Sequence, residues 1–248
     1  VSNRENLTIK LIALDMDGTL LDNKHEISSE NKEAIMLAQE KGVHVVLSTG
    51  RSFRTSRDIA KELELTSYLV TVNGSEIWNC EEELIDRKLL EPELIEWMWD
   101  LSQQHKTNFW ATSCNRVWHG EIPKRIRDHE WLKFGFHVDD DSTRMMIEQE
   151  LKSNGRIEVS NSSPKNIEAN CLGVNKAEGL KKVCSLVGIT MEQVMACGDS
   201  LNDLAMVKES GLGVAMENAQ DELKRSADWI TLSNKDSGVA HAIHKWVL

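Results

Sequence analysis

One stretch constrains this chain more than any other. Leu11-Ile-Ala-Leu-Asp-Met-Asp-Gly-Thr-Leu-Leu21 is an apolar run that ends in two aspartates. Ile9, Leu11, Ile12, Ala13 and Leu14 leave little polar face, the pattern of a strand buried on both sides of a parallel sheet. Asp15 and Asp17 fall where that strand must end, Gly18 lets the chain turn away, and Thr19 adds a hydroxyl. In open α/β sheets, ligands bind at the carboxyl ends of the strands. Two carboxylates at such a tip repel unless a cation lies between them or one keeps its proton. An acidic β-turn would also account for Asp-Gly, so the rest of the chain has to decide.

A helix is expected over 27–41, with Ser28 or Ser29 as its N-cap and Gly42 behind it. Val43 to Leu47 reads as a second buried strand that runs into Ser48-Thr49-Gly50-Arg51. A helix over 52–62 and a strand over 68–72 follow. Asn73-Gly74 then predicts a tight turn into Glu76-Ile77-Trp78. This β-α-β-α-β order implies right-handed crossovers and a parallel sheet. From 83 to 165 the texture changes, and Trp97, Trp99, Trp110, Trp118 and Trp131 crowd together. Helices are expected over 93–105 and 143–153, and short strands at 109–111, 116–119, 157–160 and 166–169. Asp139-Asp-Asp141 reads as a solvated turn. The βα rhythm then returns with a helix over 175–187 and a strand over 194–197 that runs into Gly198-Asp-Ser-Leu-Asn-Asp203. Helices over 204–209, 219–225 and 239–247 alternate with strands over 212–215 and 229–232. The expected class is α/β: a doubly wound parallel sheet built from 1–82 and 166–248, with an α+β domain inserted at 83–165. Residues 1–6 read as a loose polar arm.

Charge and cysteine usage narrow the partners. The formal net charge of −11 argues against nucleic acid and means that an anionic substrate needs a local cation. Five cysteines without a C-x-x-C pair read as reduced thiols of a cytoplasmic protein. No apolar run is long enough to span a bilayer, so no membrane partner is expected.

In a doubly wound sheet the strand tips converge, so residues far apart in sequence can share a site. A cluster of aspartates offering only oxygen suits Mg²⁺, a hard cation. With that charge neutralised, Asp15 can attack phosphorus and form an aspartyl-phosphate. Asp17, two residues on, could hold a proton for the leaving oxygen. Thr49, with the backbone N–H groups of Met16 and Gly50, could bind the phosphoryl oxygens. Lys176, at a helix start, would keep Asp15 ionised and stabilise the pentavalent oxygens. Asp199 would be a metal ligand, and Asp203, four residues on, would hold metal waters or orient Lys176. In the insert, Arg116 and Trp118 are candidate substrate contacts, and the Trp cluster reads either as a substrate-facing aromatic wall or, for Trp97 and Trp99, as a small core.

Asp15-Met-Asp-Gly-Thr-Leu, Leu47-Ser-Thr-Gly-Arg51, Lys176 and Gly198-Asp-Ser-Leu-Asn-Asp203 resemble, in order, the four motifs of the haloacid dehalogenase superfamily. The first and second segments and the place of the insert resemble its Cof-type branch. One departure is Asn170-Cys-Leu172, where that branch often carries a proline. The resemblance implies a Rossmann-like core under a C2-type cap domain and a Mg²⁺-dependent phosphatase of small phosphorylated metabolites. It implies Asp15 as nucleophile and Asp17 as acid/base. It implies a metal held by the Asp15 carboxylate, the Asp17 carbonyl, Asp199 and Ser200. It also implies phosphate held by Met16, Thr49, Gly50, Lys176 and Asn202. A phosphomutase of the same superfamily and a non-catalytic phosphometabolite-binding protein are the other readings. No motif names the substrate or the oligomeric state.

Overall fold

The opening apolar run forms strand β1 (Leu11–Leu14), and every residue in it is buried. The computed structural model describes residues 7–248, so the arm expected at 1–6 lies outside the described residues. Helix α1 (Ser29–Glu40) starts behind Ser28, whose hydroxyl accepts from Asn31 N–H. Strand β2 (His44–Ser48), helix α2 (Phe53–Glu62) and strand β3 (Leu69–Thr71) follow. A 3-10 turn at Val72–Gly74 then reverses the chain into β4 (Glu76–Trp78), and β5 (Leu84–Arg87) lies beside it.

Next come helix α3 (Pro92–Gln104) and strands β6 (Asn108–Ser113), β7 (Val117–His119) and β8 (Trp131–His137). Helix α4 (Asp141–Asn154) and strands β9 (Ile157–Ser160) and β10 (Asn166–Cys171) complete this part. The chain returns through helix α5 (Lys176–Val187), β11 (Val194–Gly198), α6 (Leu204–Glu209) and β12 (Leu212–Ala215). It ends with α7 (Asp221–Ser226), β13 (Trp229–Ile230) and α8 (Gly238–Trp246).

The strands form two sheets. The first has eight strands in the order β13-β12-β11-β1-β2-β3-β4-β5. It is parallel from β13 to β3 and antiparallel at β4 and β5. From β1 the chain moves to β2 on one side, and it comes back to β11 on the other. The tips of β1 and β11 therefore flank the crevice where the strand order reverses, the place at which such sheets bind ligands.

The second sheet has five antiparallel strands in the order β7-β6-β8-β10-β9. Side chains alternate across it. Phe109, Ala111, Phe134, Phe136, Ile167 and Ala169 are buried with Leu94, Ile95 and Met98 of α3 and Ile147 and Leu151 of α4. The alternate positions, Trp110, Thr112, Lys133, Gly135, Glu168 and Asn170, make the opposite face.

Three expectations are corrected. Strand β8 was not expected, because Lys133 and Gly135 interrupt its apolar pattern, yet it pairs with both β6 and β10. Strand β5 was not expected either, and it joins the first sheet while β10 joins the second. Sheet membership therefore changes after Arg87 and again after Cys171, a few residues beyond 83 and 165. The run at 139–141 is a helix start, since the Asp140 carboxylate accepts from Thr143 N–H at 2.7 Å.

Candidate active site

Asp15 follows directly from β1, and its N–H donates to Cys197 O at 3.1 Å, which ties the tip of β1 to β11. Its carboxylate is buried and takes a hydrogen bond from Lys176 Nζ at 2.6 Å. The same ammonium donates to Asp203 Oδ1 at 2.6 Å. Lys176 opens α5 behind Asn175, whose side chain caps Glu178 N–H, so the cap fixes where the lysine leaves the backbone. Lys176 is completely buried, so its charge is compensated by carboxylates alone. Asp203 Oδ2 accepts from the N–H groups of Asp199 and Ser200 at 3.0 and 3.1 Å. Both Asp203 oxygens are thus engaged, one on the lysine and one on the loop after β11.

Asp199 has no such support. Among the described residues its carboxylate takes a hydrogen bond from Thr19 Oγ1 alone, at 3.4 Å. Gly18 lies against it at φ +82°, and a Cβ there would come 2.4 Å from Asp199 Oδ2. Only glycine suits that backbone at that approach. Burial pushes Asp199 up to about 9, with the charges of Asp15 and Asp203 adding to it. Burial likewise pushes Asp15 up to about 7 against the pull of Lys176.

This electrostatic deficit bears on the metal question. Single oxygens of Asp15, Asp199 and Asp203 lie within 4.8 Å of one another. The donors are hard oxygens, two of the three carboxylates are undercompensated, and Lys176 is already shared between Asp15 and Asp203. These residues fit a divalent cation such as Mg²⁺. Asp203, with both oxygens occupied, orients Lys176 and the loop.

The Asp17 side chain has other partners. Arg51 Nε and Nη2 hold its two oxygens at 2.7 and 2.5 Å, and His25 Nδ1 is 3.5 Å away. Burial would raise its pKa, but the Arg51 hydrogen bonds and charge hold it below the ordinary carboxylate value. In this arrangement Asp17 is ionised and holds no proton for a leaving group. Thr49, Gly50, Ser200 and Asn202 line the same cavity as Asp15 and Asp17. Thr49 Oγ1 accepts from Arg51 N–H at 3.1 Å. Ser200 Oγ donates to Asn202 Oδ1 at 2.8 Å, and Asn202 Nδ2 donates to Asn73 Oδ1 at 3.2 Å. Met16 is buried at the start of the turn, where its O accepts from Leu21 N–H.

The cavity, of about 310 Å³, is roofed by the polar face of the second sheet through Trp110, Lys133 and Glu168, with Ser162 and Asn166 beside them. Lys133 Nζ donates to Gly50 O at 2.8 Å and lies 3.3 Å from Glu168. Glu168 also accepts from Asn73 Nδ2 at 2.6 Å and Ser162 Oγ at 2.9 Å. Burial would raise Glu168, yet Lys133 and these donors hold it below its ordinary value. Asn170 Nδ2 reaches Val72 O, Ser75 Oγ and Leu132 O at 3.0–3.1 Å. The amide that departs from the Cof-type pattern therefore joins the two sheets. Asn73 reaches these partners from a left-handed backbone at φ 59°.

The sequence assigned no role to Lys133, Ser162, Asn166 or Glu168 of this roof. The available signal was Asn-Ile-Glu-Ala-Asn at 166–170, where polar and apolar residues alternate over one buried face and one site-facing face. The proposed insert contacts are not in the cavity. Arg116 stacks 3.9 Å above the Trp118 ring, pairs with Glu121, and lines a separate cleft with Ser52, Arg54 and Thr55. Trp118 packs on the second core and against His129.

Comparison with known proteins fits this geometry. The family model for haloacid dehalogenase-like hydrolases matches residues 12–145 and 120–243. The 5-amino-6-(5-phospho-D-ribitylamino)uracil phosphatase YcsE of Bacillus subtilis is 57% identical over 245 residues, covering 99% of this chain and 98% of that protein. A haloacid dehalogenase-like hydrolase from Bacteroides thetaiotaomicron superposes with a TM-score of 0.78 at 32% identity, over 96% of this chain and 99% of that one. A second such hydrolase, from B. subtilis, superposes at 0.88 and 24% identity over 97% and 100% of the two chains, a likeness of fold.

Proposed function

This chain belongs to the haloacid dehalogenase-like hydrolases, in their Cof-type branch, and we propose that it hydrolyses a small phosphomonoester through an aspartyl-phosphate on Asp15. It is a phosphatase, as its relatives are. The observation that carries the mechanism is the buried Lys176 bridge between Asp15 and Asp203, with a carboxylate oxygen of Asp199 within 4.8 Å of theirs.

The Asp15 carboxylate attacks phosphorus, and the bond from phosphorus to the substrate oxygen breaks. Lys176 favours the ionised form of Asp15 against the effect of burial, and its hydrogen bond fixes the carboxylate for that attack. Thr49, Gly50 and Asn202 wall the space into which the phosphoryl oxygens fit, and the Met16 N–H lies beside the Asp15 carboxylate. Asp17 supplies the proton that the leaving oxygen needs, then removes one from the water that hydrolyses the aspartyl-phosphate. It must first leave Arg51 and take up a proton. The arriving phosphoryl group, itself an anion, competes for that guanidinium. Mg²⁺, held by the carboxylates of Asp15 and Asp199 with the Asp17 carbonyl, would supply the charge that lets two anions approach. Ser200 stands beside them, and Asp203 positions Lys176.

For the substrate, the supporting fact is the likeness to the B. subtilis enzyme, so 5-amino-6-(5-phospho-D-ribitylamino)uracil is the proposed phosphomonoester. No helix of the described residues is long and apolar enough to cross a membrane. All five cysteines are unpaired, which supports a cytoplasmic location. The test is turnover of that compound with Mg²⁺, with EDTA, and by Asp15→Asn. Loss of turnover in the last two, with the Asp15→Asn protein still folded by circular dichroism, is expected. Full activity of Asp15→Asn would reject the mechanism.

A further inference from the structure

The indole of Trp110 differs from every other tryptophan of this chain. Trp131 is fully buried and donates to Ile126 O, and Trp97, Trp99 and Trp118 pack on the second core. Trp78 stacks on Phe53, and Trp229 and Trp246 pack edge to face. Trp110 instead stands on the site-facing side of β6 and lines the Asp15 cavity. Among the described residues no aromatic ring stacks on it and no hydrogen bond is made by its N–H.

Its pose is set by the strand beside it. Trp110 pairs across the ladder with Gly135, and Gly135 pairs in turn with Glu168. A Cβ at residue 135 would sit 2.1 Å from Trp110 Cε2 and 2.2 Å from Cζ2. The missing side chain lets the six-membered edge of the indole lie down on β8, so the ring is held as a wall of the cavity. Any larger residue at 135 would lift it off. The polar groups around it are already committed to one another. Lys133 bonds Gly50 O and pairs with Glu168, Glu168 takes Ser162, and Asn166 bonds Ser162. The indole face is what this part of the roof has left to offer a ligand.

We propose that Trp110, laid over Gly135, is the subsite for a planar, conjugated ring at the end of the substrate remote from its phosphate. The inference rests on the phosphatase reading and deepens it: the substrate class is a phosphomonoester whose polar chain carries a flat heterocycle. A pyrimidine ring stacked on an indole gains through offset π contact and exclusion of water, and stacking of a base on an aromatic side chain contributes roughly 1–3 kcal/mol.

A matched pair of substrates tests it, 5-amino-6-(5-phospho-D-ribitylamino)uracil and ribitol 5-phosphate, which keeps the chain and lacks the ring. Trp110→Leu should lose about tenfold or more in kcat/KM on the ring-bearing compound, chiefly through KM. Its kcat/KM on ribitol 5-phosphate should stay within about twofold. Trp110→Phe, which keeps a ring over Gly135, should fall between, and it serves if the leucine variant does not fold. Equal losses on both compounds, or none on either, would show that the indole only covers the glycine and would overturn the subsite. If the unaltered enzyme turns over ribitol 5-phosphate but not the ring-bearing compound, the proposed substrate and the subsite fall together while the Asp15 chemistry stands.

Discussion

Lys176 Nζ lies 2.6 Å from Asp15 Oδ1, and both groups are shut away from water. The lysine is charged in that setting, because Asp15 and Asp203 outweigh the burial that would lower its pKa. Replacing it by methionine leaves two buried carboxylates facing each other without a cation. Lys176→Met should lose at least about a hundredfold in kcat, as expected for a charge-stabilising group of this kind. It should also lose about 3–5 kcal/mol of stability, the cost of stranding one side of a buried pair. Adding Asp15→Asn should recover part of that stability but no activity. Chemical denaturation of the single and double variants checks the coupling.

The metal-free protein should weaken as pH rises. Asp15 is pushed up to about 7 and Asp199 to about 9, so each binds its proton more tightly folded than unfolded. Between roughly pH 4 and pH 9 the folded chain therefore carries the extra protons, and its stability falls with increasing pH. Bound Mg²⁺ would remove the cause by supplying a cation. The rise in Tm on adding Mg²⁺ should be larger near pH 8 than near pH 6, as thermal melts with Mg²⁺ and with EDTA would report. An equal rise at both pH values would count against a carboxylate-held ion.

Arg51 holds both Asp17 oxygens, and the proposed proton transfer requires that this clamp open. Asp17→Asn should slow hydrolysis of alkyl phosphates by about 10²–10⁴-fold, since their leaving oxygen needs a proton. On p-nitrophenyl phosphate, whose leaving group departs as an anion, formation of the aspartyl-phosphate should be far less affected. A burst of nitrophenol in rapid mixing would show it. Absence of any difference between the two substrate types would remove Asp17 from the acid role.

Glu168 makes the protein sensitive to acid. Its folded pKa lies below the ordinary value, so its contribution is present above about pH 4.3 and is lost as pH falls through the folded value. Glu168→Gln should abolish that part of the acid profile. It should also cost about 3–5 kcal/mol by leaving Lys133 buried and unpaired. Denaturation midpoints measured from about pH 3 to pH 7 in both proteins give the comparison.

Much of the site could be read from the chain because parallel strands announce themselves twice. Leu11–Leu14 and Val194–Gly198 are continuous apolar runs, and each ends in aspartate at its tip. Topology then does the rest, since neighbouring strands β1 and β11 must bring Asp15 and Asp199 together. The roof was hidden for the opposite reason. Lys133 and Gly135 look like breaks in an apolar strand, and they make sense only beside Gly50, Glu168 and Trp110, which lie far off in sequence. The orientation of Asp17 was hidden too, because nothing in Asp-Met-Asp tells which carboxylate Arg51 will hold.

The five-stranded sheet keeps its oily side for its own two helices and meets the catalytic sheet chiefly through amides, an ammonium and a carboxylate. Contacts of that kind trade partners with water at modest net cost, about 0.5–1.5 kcal/mol for each neutral hydrogen bond and about 1.5–3 kcal/mol for each to a charged group. Two short links, over residues 88–91 and 172–175, join halves that each have their own interior. Entry of a metabolite and escape of inorganic phosphate then require only rewetting of a seam, with no element melted on either side.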